Sequence, residues 1–246
     1  IHNQLGRKVA VKVLDPYLAK NPEIRARFKK EAATLANLQH PNIVTLFDYV
    51  EEGDTCALIM EYVEGQSIDE YIQKVTGPIP EAKAIPLFSQ ILQGVAYAHS
   101  RGVIHRDIKP SNFIVTESGE VKILDFGIAK ILDEGSHKLT RTGTRMGTIL
   151  YMSPEQVKGT EVDIRTDVYA LGLTLFQMVT GRCPYDETLS EYQVFKMIAE
   201  EALPDPAFFY PALSPHIKRI IEKATVKDPA GRFQNCDEFS NAINGE

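Results

Sequence analysis

The pattern of apolar residues changes character once along the chain, near residues 61 to 66. Before that point, "KVAVKVL", "NIVTLFDYV" and "CALIMEYV" have the β-branched runs and turn signals that favour short strands. After it, apolar spacing favours long helices, at roughly 80–100, 163–180, 191–201 and 215–225, with a short β patch, "NFIV" and "VKILDF", between them. We therefore predict an α+β fold of two lobes joined by a short connector, the first small and β-rich, the second larger and mostly helical.

One helix is predicted in the small lobe. Asn21 is a suitable N-cap and Pro22 a suitable first residue, and the helix should run to about residue 38, where "HPN" stops it. At 3.6 residues per turn, Glu31 lies in the middle of an apolar stripe. The stripe consists of Ile24, Phe28, Leu35 and Leu38.

Glu31 needs an explanation, because charged side chains are rarely fully buried. One alternative is a partly exposed glutamate at the edge of the stripe. The other is a buried ion pair with a lysine on the adjacent strand, for which Lys12 in "VAVK" is the candidate.

Composition and charge exclude several classes of function. A formal charge of -6, with Lys and Arg spread along the chain, disfavours a nucleic-acid binder. No apolar run approaches the roughly 20 residues of a membrane helix, and the first residues lack the apolar core of a signal peptide. Cys56, Cys183 and Cys236 are too far apart for a disulfide framework or a metal knuckle. We expect a cytoplasmic domain that contacts neither nucleic acid nor membrane.

The segment "HRDIKPSNF", residues 105 to 113, brings Asp107, Lys109 and Asn112 close together. Taken singly, such residues are ordinary loop formers, Asp125 in "DFG" is an ordinary turn residue, and Lys12 is an ordinary solvated lysine. The order and spacing of the segments, rather than any one of them, therefore carry the functional signal.

Together the segments resemble the catalytic domain of bacterial serine/threonine protein kinases of the eukaryotic type. The shared motifs are, in order, "VAVK" with Lys12, a helix with Glu31, "HRDIKPSN" with Asp107, Lys109 and Asn112, "DFG" with Asp125, "SPE" with Glu155, and "DPAGRF" with Arg232. The resemblance covers the whole chain. It implies the bilobal protein-kinase fold, with a partial N-lobe at 1–60, a hinge at 61–66 and a C-lobe at 67–246.

The resemblance implies ATP-dependent phosphorylation of serine and threonine hydroxyls on proteins. Phosphoryl transfer passes through a loose transition state, so such an enzyme contributes chiefly positioning and neutralisation of charge. Asp107 would orient or deprotonate the acceptor hydroxyl. Lys109 would offset charge on the transferring phosphate.

Four residues are implied in holding the phosphates and the metal. Lys12, held in place by Glu31, would contact the α and β phosphates of ATP. Asn112 and Asp125 would ligate Mg²⁺, a hard cation that prefers oxygen donors, with Mn²⁺ as an alternative.

The adenine base would lie at the hinge. Met60 precedes the hinge, and backbone groups of Glu61 and Val63 would bond to adenine. Ala10 and Ile114 would enclose the ring. Apolar residues in strands are more often core residues, so these five positions rest on the resemblance alone.

Residues 127–153 correspond to the activation segment of the family. A basic, threonine-rich loop is usually just a mobile surface loop. An arginine immediately before the catalytic aspartate, here Arg106, is however typical of kinases in which a loop phosphate pairs with that arginine and orders the segment. The candidate sites, phosphorylated by another copy of the chain, are Thr140, Thr142 and Thr144. Thr148 in "GTILY" and Lys109 are typical of serine/threonine rather than tyrosine specificity.

Three further residues are expected to have supporting roles. Arg232 is the family's usual partner for Glu155. Asp167 would accept backbone hydrogen bonds from the family's catalytic loop, which corresponds to residues 105–113, although an acid at a helix N-terminus is also adequately explained by the helix dipole.

Three other functions share parts of this pattern. A pseudokinase or scaffold typically loses Lys12, Asp107 or Asp125, and none is lost here. A small-molecule phosphotransferase usually lacks Lys109 and the "GTILYMSPE" platform for a peptide. A non-enzymatic ligand-sensing module predicts no metal-dependent turnover.

One family feature is missing from the sequence. Kinases of this family carry a Gly-x-Gly-x-x-Gly loop before the "VAVK" strand, and no Gly-x-Gly occurs here. We therefore expect the sequence to be part of a longer protein, which a region outside this chain could anchor to a membrane. By itself the chain should bind ATP weakly and transfer phosphate poorly, because close backbone donors to the phosphates are lost.

Overall fold

The structure, a computed structural model, describes residues 6–53, 55–126, 146–186 and 188–245. Among these residues, the N-terminal part contains an antiparallel sheet of order β1-β3-β2. Its strands are β1 (Val9–Val13), β2 (Leu46–Glu52) and β3 (Thr55–Glu61). Helices α1 (Pro16–Ala19) and α2 (Pro22–Leu35) pack against the sheet and enclose a small core with it. The small β-rich lobe predicted from the sequence is therefore present.

Helix α2 begins where the sequence predicts and ends earlier than expected. Asn21 Oδ1 accepts a hydrogen bond from the N–H of Glu23 at 2.9 Å, and Pro22 is the first helical residue. After Leu35 the chain tightens into a turn, in which the N–H of Leu38 donates to the carbonyl of Leu35 at 3.0 Å. This turn places Leu38 in the core of the C-terminal part, where it is 2% exposed. Burial of Leu38 against the other lobe accounts for the early end of the helix.

The predicted strand "NIVTLFDYV" is divided between two parts of the molecule. Ile43 forms a bridge with Ile123 of the C-terminal part. The N–H of Ile123 donates to the carbonyl of Asn42, and its carbonyl accepts from the N–H of Val44. The chain joins the N-terminal sheet from Leu46 onward. The expectation of one continuous strand is therefore wrong, because the backbone of residues 42–44 pairs with the other lobe.

The C-terminal part consists of helices around a small sheet of order β4-β5-β6. The strands are β4 (Gln66–Ser67), β5 (Phe113–Val115) and β6 (Val121–Ile123). The helices are α3 (Ile68–Tyr71), which continues into a π-helical turn (Ile72–Thr76), α4 (Glu81–Ser100), α5 (Met146–Ile149), α6 (Pro154–Lys158), α7 (Ile164–Thr180), α8 (Glu191–Glu200), α9 (Pro206–Phe209), α10 (Pro215–Ala224) and α11 (Cys236–Asn244). Short 3₁₀ turns cover Pro110–Asn112 and Pro229–Gly231.

The four long helices predicted in the C-terminal part, α4, α7, α8 and α10, lie within one residue of the expected bounds. Helices α5, α6 and α9 are too short for a 3.6-residue period to show in the sequence. Ser153 Oγ accepts from the N–H of Gln156, and Gln156 Oε1 accepts from the N–H of Ser153, which is a capping box. Helix α6 therefore depends on capping rather than on an apolar face.

Helix α7 forms the centre of the C-terminal part. All of its residues from 166 to 180 are buried, as expected for a helix that is apolar around most of its circumference. The main core lies between α4, α7, α10 and α11, and a second cluster packs α5 and α8 against the other side of α7. Within the described ranges, no helix is long and apolar enough to cross a membrane.

Candidate active site

Asp107, Lys109 and Asn112 meet at one point in the loop that precedes β5. Lys109 Nζ donates to both carboxylate oxygens of Asp107, at 3.0 and 2.8 Å, and to Thr148 Oγ1 at 2.8 Å. Asn112 Nδ2 donates to the backbone carbonyl of Asp107 at 2.7 Å and to its Oδ2 at 3.2 Å. The side chains of Asp107 and Lys109 are each 18% exposed. Their charges are therefore less screened than those of a surface pair, yet they remain open to solvent.

Asp167 is fully buried at the start of α7 and holds the backbone of this loop. Its Oδ2 accepts from the N–H of His105 at 2.8 Å, and its Oδ1 accepts from the N–H of Arg106 at 2.9 Å. Oδ2 also lies 2.7 Å from His99 Nε2. Arg106 has a φ of 65°, in the left-handed region that costs a non-glycine residue roughly 1–2 kcal/mol. The hydrogen bonds to Asp167 offset that cost.

The His105 ring links the loop to the chain around Asp125. Its Nε2 lies 2.9 Å from the carbonyl of Leu124, and its Nδ1 accepts from the N–H of Asp107 at 3.3 Å. One nitrogen donates and the other accepts, so the neutral ring satisfies both contacts. The ring also packs on Phe126 with centroids 4.6 Å apart. This position agrees with a packing role for His105.

Asp125 and Lys12 face each other across the two lobes. Lys12 Nζ in β1 lies 2.8 Å from Asp125 Oδ1, and the two side chains are 34% and 31% exposed. Asp125 follows Leu124, whose N–H donates to the carbonyl of Asn112 at 2.9 Å. This hydrogen bond ties the chain leading to Asp125 to the end of the catalytic loop.

The ion pair between Lys12 and Glu31 is not formed among the described residues, where Lys12 pairs with Asp125. The buried face of α2 is formed by Ile24, Phe28 and Ala32, so Glu31 lies at its edge and is half-buried. The alternative of a partly exposed glutamate therefore describes this structure. The ion pair predicted from the sequence belongs to the active, nucleotide-bound state, for which it stays a prediction.

The oxygens of Asn112 and Asp125 suit a hard divalent cation. Asn112 uses its Nδ2 to bind Asp107, which leaves its amide oxygen as the atom for a metal. In the described part of the chain, no cluster of three or more His, Cys, Asp or Glu side chains forms a complete metal site. A cation held by these two side chains would therefore take its remaining ligands from phosphate oxygens and water.

Comparison with known proteins assigns the family. The sequence profile of the protein kinase domain matches residues 1–242. The chain belongs to the protein kinase domain family. The bilobal kinase fold and the resemblance predicted from the motifs are thus confirmed.

The relatives of this kinase domain are bacterial serine/threonine kinases. Serine/threonine-protein kinase PrkC of Bacillus subtilis is 38% identical over 239 residues, which cover 97% of this chain and 36% of PrkC. Serine/threonine-protein kinase PknA of Mycobacterium tuberculosis is 38% identical over 248 residues, which cover 99% of this chain and 56% of PknA. The crystal structure of the Mycobacterium tuberculosis PknI kinase domain has a TM-score of 0.77 and 28% identity, covering 100% of this chain and 88% of that one. The chain spans about a third of the length of PrkC. Kinases of this family use ATP and a divalent metal.

The residues predicted to contact adenine lie in the two sheets and in the connector between them. Ala10 of β1 is paired in register with Met60 of β3, and Glu61 is the last residue of β3. Val63 follows in the connector, and Ile114 lies in β5. Ala10, Met60 and Glu61 therefore belong to the sheet of the small lobe and Ile114 to the sheet of the large lobe, and their contacts to a base stay predictions.

Within the activation segment, the structure describes residues 146–153, which begin with α5. Thr148 in α5 contacts Lys109, as given above. The backbone carbonyl of Arg106 accepts from Gln156 Nε2 at 3.0 Å, which ties the catalytic loop to α6. The predicted phosphorylation sites, Thr140, Thr142 and Thr144, lie outside the described residues.

Glu155 and Arg232 form a buried, bidentate ion pair. Arg232 Nη1 and Nη2 lie 2.7 and 2.8 Å from the two carboxylate oxygens of Glu155. Thr166 Oγ1 also donates to Glu155, at 2.8 Å. Burial alone would raise the pKa of Glu155, but the hydrogen bonds and charge of Arg232 lower it below its usual value. The carboxylate of Glu155 therefore stays charged in the first turn of α6.

Sequence reasoning does not find three side chains that complete this site. They are His99, which contacts Asp167, Thr166, which donates to Glu155, and Lys122, whose Nζ lies 2.9 Å from Glu61 Oε1. The sequence gives a signal for Thr166, which directly precedes Asp167 in "RTDVYALG". His99 and Lys122 lie in a helix and a strand whose patterns indicate packing alone.

Proposed function

We propose that this chain is the catalytic domain of a kinase that transfers the γ-phosphoryl group of ATP to serine and threonine hydroxyls of proteins. The observation that carries this proposal is the double contact of Lys109, which donates to Asp107 and to Thr148. Thr148 lies in the segment expected to receive the acceptor peptide. A lysine that spans both side chains fixes the acceptor platform beside the residue expected to act on the hydroxyl.

In the proposed reaction, the acceptor oxygen forms a bond to the γ-phosphorus as the bond from that phosphorus to the bridging oxygen of ADP breaks. Asp107 accepts the proton of the acceptor hydroxyl. Lys109 offsets negative charge on the transferring group, and its contacts to both Asp107 oxygens keep the carboxylate in position.

The remaining residues hold the nucleotide and the cation. Lys12, supported by Glu31 in the active state, contacts the α and β phosphates. Asn112 and Asp125 hold Mg²⁺, for which their oxygen donors are suited. A bound Mg²⁺ neutralises negative charge on the phosphate oxygens.

The proposal extends to the base and to the acceptor. Backbone groups of Glu61 and Val63 bond to adenine, and the ring lies between the side chains of Ala10 and Ile114 with Met60 behind them. The acceptors are serine and threonine hydroxyls of protein substrates. We place the domain in the cytoplasm, a reducing compartment that fits cysteines too widely spaced for a disulfide framework.

The activation segment is included in the proposal as a substrate. Another copy of the chain phosphorylates Thr140, Thr142 or Thr144, and Arg106 pairs with the phosphate. The backbone of Arg106 supports this role, because Asp167 and Gln156 fix it next to Asp107.

The experiment that tests the function uses the full-length protein, because this chain by itself is expected to transfer phosphate poorly, with labelled ATP, Mg²⁺ and a generic protein substrate. Mass spectrometry then locates the phosphate on individual residues, with a chelator of divalent metal in the control reaction. We expect metal-dependent phosphate on serine and threonine, including the activation segment. ATP binding without transfer would indicate a pseudokinase, and transfer to small molecules alone would indicate the other phosphotransferase class. Either result would contradict the proposal.

A further inference from the structure

The connector between the lobes lies against the C-terminal sheet at both of its ends. At its start, Glu61 Oε1 forms an ion pair with Nζ of Lys122 in β6 at 2.9 Å. At its end, Gly65 lies so close to β5 that a Cβ would be 2.4 Å from the carbonyl oxygen of Val115 and 2.7 Å from Cγ2 of Ile114. The chain then continues directly into β4, which pairs with β5. A connector held at both ends cannot move without breaking one of these contacts.

Lys122 extends from the face of β6 that is turned away from the core. Its neighbours Val121 and Ile123 are fully buried in the main core, and successive side chains of a strand point to opposite faces. Lys122 is paired in register with Ile114 of β5, and residues directly opposite in an antiparallel pair have their side chains on the same face. The lysine therefore lies beside a residue expected to contact the base, while its ammonium group reaches Glu61.

Glu61 is also held on the side of the small lobe. Its Oε2 accepts from the N–H of Thr45 at 3.1 Å, and its own N–H donates to the carbonyl of Thr45 at 2.9 Å. Glu61 is paired in register with Val9 of β1 as well. The ion pair with Lys122 therefore joins a residue that is fixed in the small lobe to the sheet of the large lobe.

A second lysine at the connector provides an internal comparison. Lys8 pairs with Glu64, but those side chains are 63% and 70% exposed, whereas those of Lys122 and Glu61 are 18% and 27% exposed. Water and salt screen an exposed pair, which then contributes little. Screening is weaker for the partly buried pair, and removal of one partner leaves a desolvated charge behind. We therefore expect the Lys122 pair to hold the connector and the Lys8 pair to be dispensable.

We infer that Lys122 is a positioning residue for nucleotide binding, which acts through Glu61 on the backbone groups that receive the adenine base. This inference rests on the proposed function, because it takes the connector to be the adenine site. Lys122 has no part in the proposed transfer step, so we expect its effect on the affinity for ATP rather than on the rate of transfer. Without the lysine, the carboxylate of Glu61 turns to water and the start of the connector is released from β6.

The test measures ATP affinity by isothermal titration calorimetry in Mg²⁺ for the whole chain and for Lys122→Met. Methionine keeps the length of the side chain and removes its charge. We expect ATP to bind about tenfold more weakly to Lys122→Met. In turnover assays, KM for ATP should rise with kcat nearly unchanged. Lys122→Arg retains a cation for Glu61 and should restore most of the affinity.

The matched control is Lys8→Met, which removes the exposed pair at the same connector and should leave ATP affinity within about twofold. Urea unfolding of each variant shows that the proteins compared are folded. Equal ATP affinity for Lys122→Met and the original chain would overturn the inference, as would an equal loss in Lys8→Met or a fall in kcat at constant KM. If neither the original chain nor a form of it extended at the N-terminus bound ATP, the proposed function would be refuted, and the inference with it.

Discussion

At the scale of single residues, Arg232 shows why a guanidinium is needed beside the buried carboxylate of Glu155. Two of its five N–H donors bind Glu155, and the others bind the backbone carbonyls of Val226, Arg165 and Lys227 at 2.7 to 2.9 Å. Its side chain has no exposed surface. A lysine carries three donors around one point and could not reach all five acceptors.

Removal of this guanidinium should be severely destabilising. Arg232→Met leaves the buried carboxylate of Glu155 without its partner, so we expect the free energy of unfolding to fall by about 3–5 kcal/mol. Arg165→Met is the control, because Arg165 and Asp163 are 30% and 48% exposed and such a pair contributes about 0–1 kcal/mol. Urea denaturation of both variants measures the difference. Similar losses for the two variants would show that burial does not distinguish these ion pairs.

Lys227 is a charged residue that the proposed mechanism does not use. Its Nζ lies 3.2 Å from the hydroxyl of Tyr169 and 3.4 Å from the carbonyl of Met197. Burial, together with the positive charges of Arg232 and Lys158, lowers the pKa of Lys227 to about 8. The folded protein therefore disfavours the charged form of this lysine.

This lowered pKa predicts a pH-dependent stability. The unfolded chain, with a lysine pKa of about 10.4, binds more protons than the folded chain above pH 8, so this residue makes stability rise with pH between about 8 and 10. Lys227→Met removes the penalty at neutral pH. The variant should therefore be more stable than the original chain at pH 7, and its advantage should shrink by pH 9.5.

The measurement is the free energy of unfolding of both proteins at several pH values. Lys196→Met, at an exposed lysine of α8, controls for the loss of a lysine as such. An advantage of Lys227→Met that is the same at pH 7 and pH 9.5 would contradict the lowered pKa.

At the scale of elements, helix α2 and the chain around Asp125 compete for Lys12. The structure pairs Lys12 with Asp125 and leaves Glu31 at the edge of the buried face of α2. Glu31 lies one turn after Phe28, which is 1% exposed, so its side chain borders the buried face of α2. The sequence predicts a second arrangement, in which α2 shifts and Glu31 pairs with Lys12.

Nucleotide and metal should select the second arrangement. A divalent cation attracts the carboxylate of Asp125 more strongly than one ammonium group does, so we expect Asp125 to turn to the cation and Lys12 to pair with Glu31. The measurement is a crystal structure of the chain with Mg²⁺ and a non-hydrolysable ATP analogue. Such a structure with Glu31 in solvent and Lys12 still on Asp125 would contradict this prediction.

Periodicity and capping signals predict most elements, because both depend on residues close in sequence. Asn21 and Pro22 set the start of α2 in this way. The end of α2 and the backbone pairing of Ile43 depend on the other lobe, which apolar spacing cannot show. Lys122 likewise lies in a strand whose alternating pattern does not distinguish it from other strand residues. Its contact with Glu61 depends on how the two lobes meet.

At the scale of the whole molecule, the lobes are joined at more than the connector. Asn42 is 7% exposed, and its Nδ2 donates to the carbonyl of Val121 at 2.9 Å and to Gln90 Oε1 at 3.1 Å. The candidate site depends on this joining, since Lys12 comes from the small lobe and Asp107 from the large one. A chain with this arrangement should hold ATP with both lobes and perform the transfer with the large lobe.

Asp107→Asn tests this division of roles most directly. We measure kcat and, on the same protein, the ATP dissociation constant for this variant and the original chain, with Asp205→Asn as the control. Asp205 is the exposed N-cap of α9, and asparagine caps a helix as well as aspartate does. The control variant should therefore keep the activity of the original chain. Asp107→Asn should lose about two to four orders of magnitude in kcat, because its carboxylate accepts the proton, and should bind ATP within a few-fold of the original. Full turnover by Asp107→Asn would contradict the central claim that this carboxylate acts on the acceptor hydroxyl.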